Sequence, residues 1–147
     1  MKGRRDSLVD LATEIAWSFH GLPYKWGGDD PMAGFDCSGF VIEILKSVGL
    51  LEREGDWRAR DLFPKFTEVF TPVSEGVLVF WHSSSDPKKI IHVEYCLDNT
   101  FSIGASGGGG STMTEQDAIE QNAYIKVRPF RSRKYLFGFC DPFEIEV

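Results

Sequence analysis

The sequence predicts an α+β domain in which two N-terminal helices pack against an antiparallel sheet of roughly five strands. Two patterns predict this fold class. Apolar residues recur at helical spacing in the first third of the chain, and short β-rich segments fill the last half. Helices followed by a run of strands are typical of α+β domains, because parallel α/β folds alternate the two.

The composition fits one globular domain over residues 1–147. Hydrophobic residues make up 42% of the chain and aromatic residues 14%, which is enough to build a core and argues against disorder. The net charge of −6 argues against nucleic acid as the main partner, since phosphate binding needs clustered Lys and Arg. We expect a monomer in isolation.

A short basic cluster at residues 2–5 resembles the start of a signal peptide. Residues 6–10 that follow it contain neither an uninterrupted apolar run nor a small-residue cleavage site. No segment reaches membrane-spanning length, so we expect no membrane insertion. The sequence therefore predicts synthesis in the cytoplasm without a signal peptide.

Two amphipathic helices are predicted first. One spans residues 6–20, where apolar residues recur at helical spacing until Gly21 ends the pattern. The second begins near Asp36, a good N-cap residue, and stops at Gly49. Its apolar positions follow the helical pattern without a break: Cys37, Phe40, Val41, Ile44, Leu45 and Val48.

Five strands are predicted after a polar stretch at residues 52–60 and one helical turn near residues 61–65. They span residues 77–82, 90–97, 100–106, 124–129 and 135–140. The glycine run at residues 107–110 lacks the lysine and the strand-to-helix setting of a phosphate loop. It is more typical of a mobile loop at the rim of a cleft.

Cys37 is the candidate nucleophile. At the first position of the second helix, its sulfur would lie near the positive end of the helix dipole, which favours thiolate over thiol. Free N–H groups there could stabilise the oxyanion of an acyl-transfer intermediate. A free cysteine on an apolar helix face can equally be a small buried hydrophobe. Cys96 lacks a helix start and Cys140 is typical of core, and three widely spaced cysteines favour neither a disulfide framework nor a zinc site.

A thiol nucleophile needs a base, and the chain has three histidines. His20 ends the first helix, where capping explains it, and His82 precedes a serine-rich turn. His92 lies inside a predicted strand, on the same polar face as Glu94, while the other face is core. We therefore favour His92 as the base, although a histidine on the surface of a strand needs no catalytic role.

Matching the faces of neighbouring strands predicts the register of the hairpin that follows His92. The predicted pairs are Cys96 with Thr100, Glu94 with Ser102 and His92 with Gly104. Small residues opposite His92 would leave an open surface with room for a substrate chain.

Three blocks of sequence carry a resemblance to a known family. They are Gly-Leu-Pro-Tyr-Lys-Trp-Gly-Gly at residues 21–28, Gly-Phe-Asp-Cys-Ser-Gly-Phe-Val at residues 34–41, and the His-Val that opens a strand at residue 92. In this order they resemble the NlpC-type (NlpC/p-sixty) cell-wall cysteine peptidases, from about residue 8 to residue 106. The resemblance implies Cys37 as nucleophile and His92 as base.

The same resemblance implies a papain-like fold and a substrate. The protein would be an endopeptidase that hydrolyses bonds in the stem peptides of bacterial peptidoglycan, typically next to D-glutamate, and no metal or organic cofactor is expected. By position, Tyr24 would direct its hydroxyl toward the site, and Asp36 and Ser38 would help to seat the substrate. Packing of a loop aromatic is the other interpretation of Tyr24 and the favoured one for Trp26.

The sequence departs from the family pattern at a third polar residue, most often a histidine, which orients the catalytic histidine from the adjacent strand. Counting from His92 puts Gly104 at that place, and Gly104 has no side chain. The orienting group could instead be Ser102, Ser106, Glu94, a backbone carbonyl or water. Glu94 replaces a usual glycine, and it would hold His92 as imidazolium, restrict the cleft or simply be exposed.

Two alternatives stay open. A papain-like acyltransferase or amidase would keep Cys37 and His92 but favour an apolar, membrane-facing groove. A catalytically inactive module that binds cell wall or serves as a phage structural part would have an unreactive Cys37. Because cell wall lies outside the cytoplasm, the protein has to be delivered. We expect a phage-encoded tail or lysis protein, with phage tail proteins as partners, or an injected effector.

Overall fold

A mixed set of helices and strands follows the chain in the computed structural model, which describes residues 3–30, 34–55 and 57–144. The helices are α1 (Arg4–Ser18), α2 (Cys37–Ser47), α3 (Ala59–Lys65) and α4 (Glu115–Gln121). The strands are β1 (Asp29–Asp30), β2 (Gly34–Phe35), β3 (Thr67–Val69), β4 (Leu78–His82), β5 (Ile90–Cys96), β6 (Phe101–Ser106), β7 (Tyr124–Pro129) and β8 (Leu136–Asp141).

An antiparallel sheet of six strands, in the order β3-β8-β4-β5-β6-β7, forms the centre of the fold. A separate two-stranded ladder joins β1 and β2. The predicted fold class is confirmed, with six strands in the sheet rather than roughly five. The additional strand is β3, a short edge strand whose largely exposed residues show no apolar alternation.

The two faces of the sheet bury different clusters. On one face, Phe80, Val93 and Tyr95 pack in the cluster that also contains Phe40 and Ile44 of α2. On the other face a second cluster contains Val79, Trp81, Cys96, Phe130 and Phe139. Because successive residues of a strand point to opposite faces, His92 and Glu94 lie on the face of this second cluster.

The predicted helices are present with small shifts of their ends. The first was expected at residues 6–20 and spans Arg4–Ser18, and the second is confirmed as α2. The expected turn near residues 61–65 extends to the seven residues of α3. In the described ranges, no helix combines the length and the apolar character needed to cross a membrane.

The helix α4 is absent from the sequence-based expectation. Its only buried residue is Ala118, so no apolar stripe marks it. The signal that could have identified it is its capping box. The Thr114 hydroxyl accepts a hydrogen bond from the Asp117 N–H, and the Asp117 carboxylate accepts one from the Thr114 N–H, each at 3.1 Å.

The register of the β5–β6 hairpin differs from the prediction by two residues. The structure pairs Tyr95 with Ile103 and Cys96 with Ser102. The expected pairs of Cys96 with Thr100, Glu94 with Ser102 and His92 with Gly104 are therefore wrong. The same faces still meet, but Glu94 rather than His92 lies against Gly104.

The side chain of Asp98 explains the shift. Its carboxylate accepts hydrogen bonds from the N–H groups of Thr100 and Phe101, both at 2.7 Å. This local bonding places the turn at residues 98–100, one residue later than expected. The loop keeps its length, so the parity of the pairing is preserved while the register slides.

The start of α2 is fixed by a close contact between two backbone segments. The Gly28 carbonyl accepts the Asp36 N–H at 3.0 Å, and a Cβ atom on Gly39 would overlap the same carbonyl. The Asp36 carboxylate caps the helix through the Gly39 N–H at 2.7 Å and also accepts the Gly27 N–H at 3.1 Å. Glycine at position 39 is thus required by packing.

We predict that Gly39→Ala destabilises the protein. Alanine in a helix is normally more favourable than glycine by about 1 kcal/mol. Here the added Cβ would displace α2 from the Gly28 carbonyl, and we expect the free energy of unfolding to fall by about 2 kcal/mol or more. Urea unfolding measures it. Ser47→Ala, in the exposed last turn of α2, is the control and should change it by less than about 0.5 kcal/mol; a stabilised Gly39→Ala protein would contradict the packing argument.

Candidate active site

Cys37 is the first residue of α2 and lines a cleft of about 710 Å³. It is a free cysteine and half-buried. Because Asp36 accepts the N–H of Gly39, the N–H groups of Cys37 and Ser38 are the first helical donors without an intrahelical acceptor. The sulfur therefore lies at the positive end of the helix, beside donors suited to an oxyanion.

His92 lies in β5, next to the Cys37 thiol. Its side chain is hydrogen-bonded to Cys37, and its Nε2 is 2.6 Å from the Glu94 Oε2. The ring is only 5% exposed and packs on the indole of Trp81, with the two ring centroids 5.1 Å apart. Burial alone would lower the pKa of His92, but the neighbouring Cys37 and Glu94 outweigh it and raise the pKa to about 9.

Glu94 is buried, at 3% exposure, and both of its oxygens are bonded. Oε2 faces His92, and Oε1 accepts the Ser102 hydroxyl at 2.8 Å. Burial alone would raise the pKa of Glu94, but the bonds from His92 and Ser102 hold it below its ordinary value, so the carboxylate is ionised. Of the expectations for Glu94, exposure is wrong and contact with His92 is observed.

Gly104 and Ser106 do not contact His92 as the sequence allowed. Gly104 lies under the Glu94 side chain, where a Cβ would be 2.8 Å from Cδ and 3.0 Å from Cβ of Glu94. Ser106 is buried, but among the described residues no hydrogen bond joins it to His92. The surface expected to be open around His92 is therefore filled by a carboxylate.

Tyr24, Asp36 and Ser38 all line the cleft beside Cys37. Tyr24 is buried, its ring lies against Gly108, and burial together with the nearby Cys37 raises the pKa of its hydroxyl. Ser38 donates to Asp36 at 3.3 Å, and burial raises the pKa of Asp36. Packing and cleft lining thus coexist in Tyr24, and contact with substrate stays a prediction for all three residues.

The far wall of the cleft was missed by the sequence interpretation. Trp26 was expected to be buried, but it is 53% exposed and lines the cleft. The lining of the cleft also includes Trp57, Arg58 and Arg60, from a stretch interpreted only as polar. These residues have no periodic pattern, because they lie in a loop and the first turn of a short helix.

The other histidines and cysteines occupy different environments. The ring of His20 packs on Trp17, and the Nδ1 of His82 bonds to the Ser83 carbonyl at 2.8 Å. Cys96 and Cys140 are both buried, and burial raises the pKa of each thiol. They are therefore unsuited to act as nucleophiles.

Comparison with known sequences identifies a family. A model of the NlpC/P60 family matches residues 21–129. The chain is 28% identical over 138 residues to the bifunctional muramidase/DL-endopeptidase CwlT of Bacillus subtilis, covering 94% of this chain and 38% of that protein. It is 29% identical over 118 residues to the probable peptidoglycan endopeptidase LytE of the same organism, covering 78% and 31%. The chain thus spans well under half of these relatives.

Solved structures share the fold. The NlpC/p60 domain of the peptidoglycan hydrolase SagA superposes with a TM-score of 0.66 at 25% identity, covering 90% of this chain and 97% of that one. The peptidoglycan hydrolase RipB of Mycobacterium tuberculosis gives a TM-score of 0.72 at 24% identity, covering 99% and 70%.

We predict that Gly104→Ala lowers the free energy of unfolding by about 1–3 kcal/mol, because the new methyl group overlaps the buried Glu94 side chain. Urea unfolding measures the change. The control is Gly109→Ala, where a Cβ meets nothing within 4 Å and the change should stay below about 0.5 kcal/mol. Equal stabilities of the two variants would show that position 104 has free space.

Proposed function

The chain belongs to the NlpC/P60 family, and from this premise we propose that it is a cysteine endopeptidase that hydrolyses peptide bonds in peptidoglycan stem peptides. The observation that carries the proposal is the contact between Cys37 and His92. Cys37 begins α2 and lines the cleft, and the His92 side chain on β5 is hydrogen-bonded to it. The names of two relatives, a DL-endopeptidase and a probable peptidoglycan endopeptidase, support the substrate.

Acylation begins with the Cys37 thiolate paired to the His92 imidazolium. The sulfur attacks the carbonyl carbon of the scissile bond, and the electron pair of the C=O bond moves to oxygen. The N–H groups of Cys37 and Ser38 stabilise this oxyanion. As the C–N bond breaks, His92 donates its proton to the leaving amine, and a thioester on Cys37 remains.

Deacylation regenerates the enzyme. His92, now neutral, takes a proton from a water molecule as the water oxygen attacks the thioester carbonyl. Collapse of the second tetrahedral intermediate breaks the C–S bond, and the Cys37 thiolate and the His92 imidazolium are restored.

The charges of the cleft suit a peptide that carries carboxylates. Arg53 is neutralised by Glu43 through two bonds of 2.9 and 3.0 Å. Within the described ranges, the side chains of Arg58 and Arg60 have no ion pair, and both line the cleft. Guanidinium groups bind carboxylates with two parallel hydrogen bonds. A glutamate-containing stem peptide supplies such groups.

The route of delivery and the oligomeric state stay predictions from the sequence. Delivery is predicted to occur by a phage tail or lysis system or as an injected effector, and the protein is predicted to be a monomer. No contact in the described part of the fold tests either prediction. The two sequence relatives contain further segments that this chain does not cover.

We predict that the parent protein cleaves defined muropeptides and that Cys37→Ala does not, because Cys37 is the thiol among the described residues that line the cleft. Mass spectrometry of the products identifies the bond that is cut. Cys96→Ala is the matched control and should keep the activity, since Cys96 is buried on the sheet. Cleavage by Cys37→Ala, or no cleavage by the parent, would contradict the proposal. A product joined to an added amine would instead identify an acyltransferase.

We predict that kcat/KM for muropeptides falls as the pH rises through about 9. The pKa of His92 is raised to about 9, so the imidazolium that protonates the leaving amine is present below this pH and lost above it. A stopped assay across the pH range measures the profile, with circular dichroism as a control for folding. An alkaline limb near the ordinary histidine pKa of about 6.5 would contradict the assignment.

A further inference from the structure

We propose that Glu94 is the positioning residue of this site: it orients His92 from within the same strand, using the space above Gly104 in the neighbouring strand. The inference rests on the proposed function, because it concerns the histidine that serves as base there. It assigns the third member of the site to Glu94, one of several orienting groups that the sequence left open.

The two ring nitrogens of His92 have different partners. Nε2 of His92 is 2.6 Å from the Glu94 carboxylate, which accepts its hydrogen. The ring has only one other nitrogen, so Nδ1 is the atom that serves the Cys37 hydrogen bond. Glu94 thereby fixes the tautomer of the neutral ring as well as its direction.

The Glu94 carboxylate is itself held in place by hydrogen bonds. Ser102 on β6 donates to Oε1 at 2.8 Å while Oε2 faces His92, so both oxygens are engaged. The side chain is buried, which removes competition from water and strengthens each bond. A catalytic group keeps its geometry best when its partner is locked in this way.

Glu94 and Gly104 are also related sterically. The Glu94 side chain covers Gly104, and any Cβ at position 104 would collide with it. The two positions therefore share one space, which a side chain can enter from β5 or from β6, but not from both. Glutamate at position 94 therefore requires glycine at position 104.

A carboxylate differs from a neutral orienting group because it also carries charge. The groups that face the pair are Cys37 from α2, Lys126 from β7, Arg133 from the loop before β8 and Cys96 from β5 itself. None of these four groups is a carboxylate, and Glu94 is the carboxylate bonded to the imidazole. It holds His92 as imidazolium, so that a positive charge lies beside the Cys37 sulfur.

The test compares Glu94→Gln with Glu94→Ala. Glutamine keeps the size and can still accept from Nε2, so it removes the charge alone. We expect the pH at which His92 loses its proton to fall by about one to two units, and the alkaline limb of kcat/KM to move with it. Alanine also removes the orientation, and we expect a loss in kcat/KM of about 100-fold or more.

Two further readouts separate positioning from folding. Nitrogen-15 NMR of the imidazole gives the titration and tautomer of His92 directly. The rate of Cys37 alkylation by iodoacetamide against pH reports the thiolate without any substrate, with Cys37→Ala as the background. Glu120→Gln, on the exposed face of α4, is the matched control and should leave every profile unchanged.

The shared space allows a rescue experiment. In Glu94→Gly the space above Gly104 is empty, and we expect activity to fall. In the double variant Glu94→Gly with Gly104→His, a side chain from β6 can enter that space and accept from Nε2 of His92. We expect at least a tenfold recovery over Glu94→Gly, whereas Gly104→His alone should be poorly folded because both side chains compete.

The outcomes distinguish this inference from the proposed function. If folded Glu94→Gln keeps the His92 titration and the alkylation profile of the parent, the positioning role is overturned. If the titration and alkylation profiles move as expected but the parent cleaves no muropeptide, the positioning role stands and the proposed substrate fails. A double variant no more active than Glu94→Gly would contradict the shared-space argument.

Discussion

The Gly28 carbonyl is the point from which the geometry of the site is determined. It accepts the Asp36 N–H and lies where a side chain on Gly39 would begin, so the loop and the first turn of α2 have one relative placement. Asp36 then uses its carboxylate to cap the helix. Since Cys37 follows Asp36 directly, the position of the sulfur is set by the backbone rather than by its own contacts. Three glycines of the specific sequence blocks, at 28, 34 and 39, are close to backbone carbonyls for this reason.

The buried pair of His92 and Glu94 carries a desolvation cost. Removing either charge from water is expensive, and attraction between the two compensates only when hydrogen bonding is complete. Here Ser102 saturates the carboxylate and Cys37 engages the ring, so each partner has two bonds. Trp81 covers one side of the imidazole and limits its rotation. The cluster contributes more to the geometry and protonation state of His92 than to the stability of the fold.

Much of the fold could be predicted from periodicity, because α2 and the central strands carry one apolar face each. The pairing of Cys37 with His92 also followed, since few residues of either type exist and their settings differ. The predictions that were wrong or incomplete concern features set by local hydrogen bonds. Asp98 placed a turn one residue later, which moved Gly104 from His92 to Glu94. The helix α4 is specified by its cap rather than by an apolar face. Trp26 lies on the wall of the open cleft, so its ring is exposed rather than buried.

The common space of positions 94 and 104 constrains how such a site can change during evolution. Two large side chains cannot occupy it together, so a lineage moving the orienting group from one strand to the other cannot pass through a state with both. An intermediate with glycine at both positions avoids the clash, and it would leave His92 without an orienting side chain from either strand. A comparison of relatives that scores position 104 by itself would classify this chain as inactive. The two positions therefore have to be compared jointly, as one structural character.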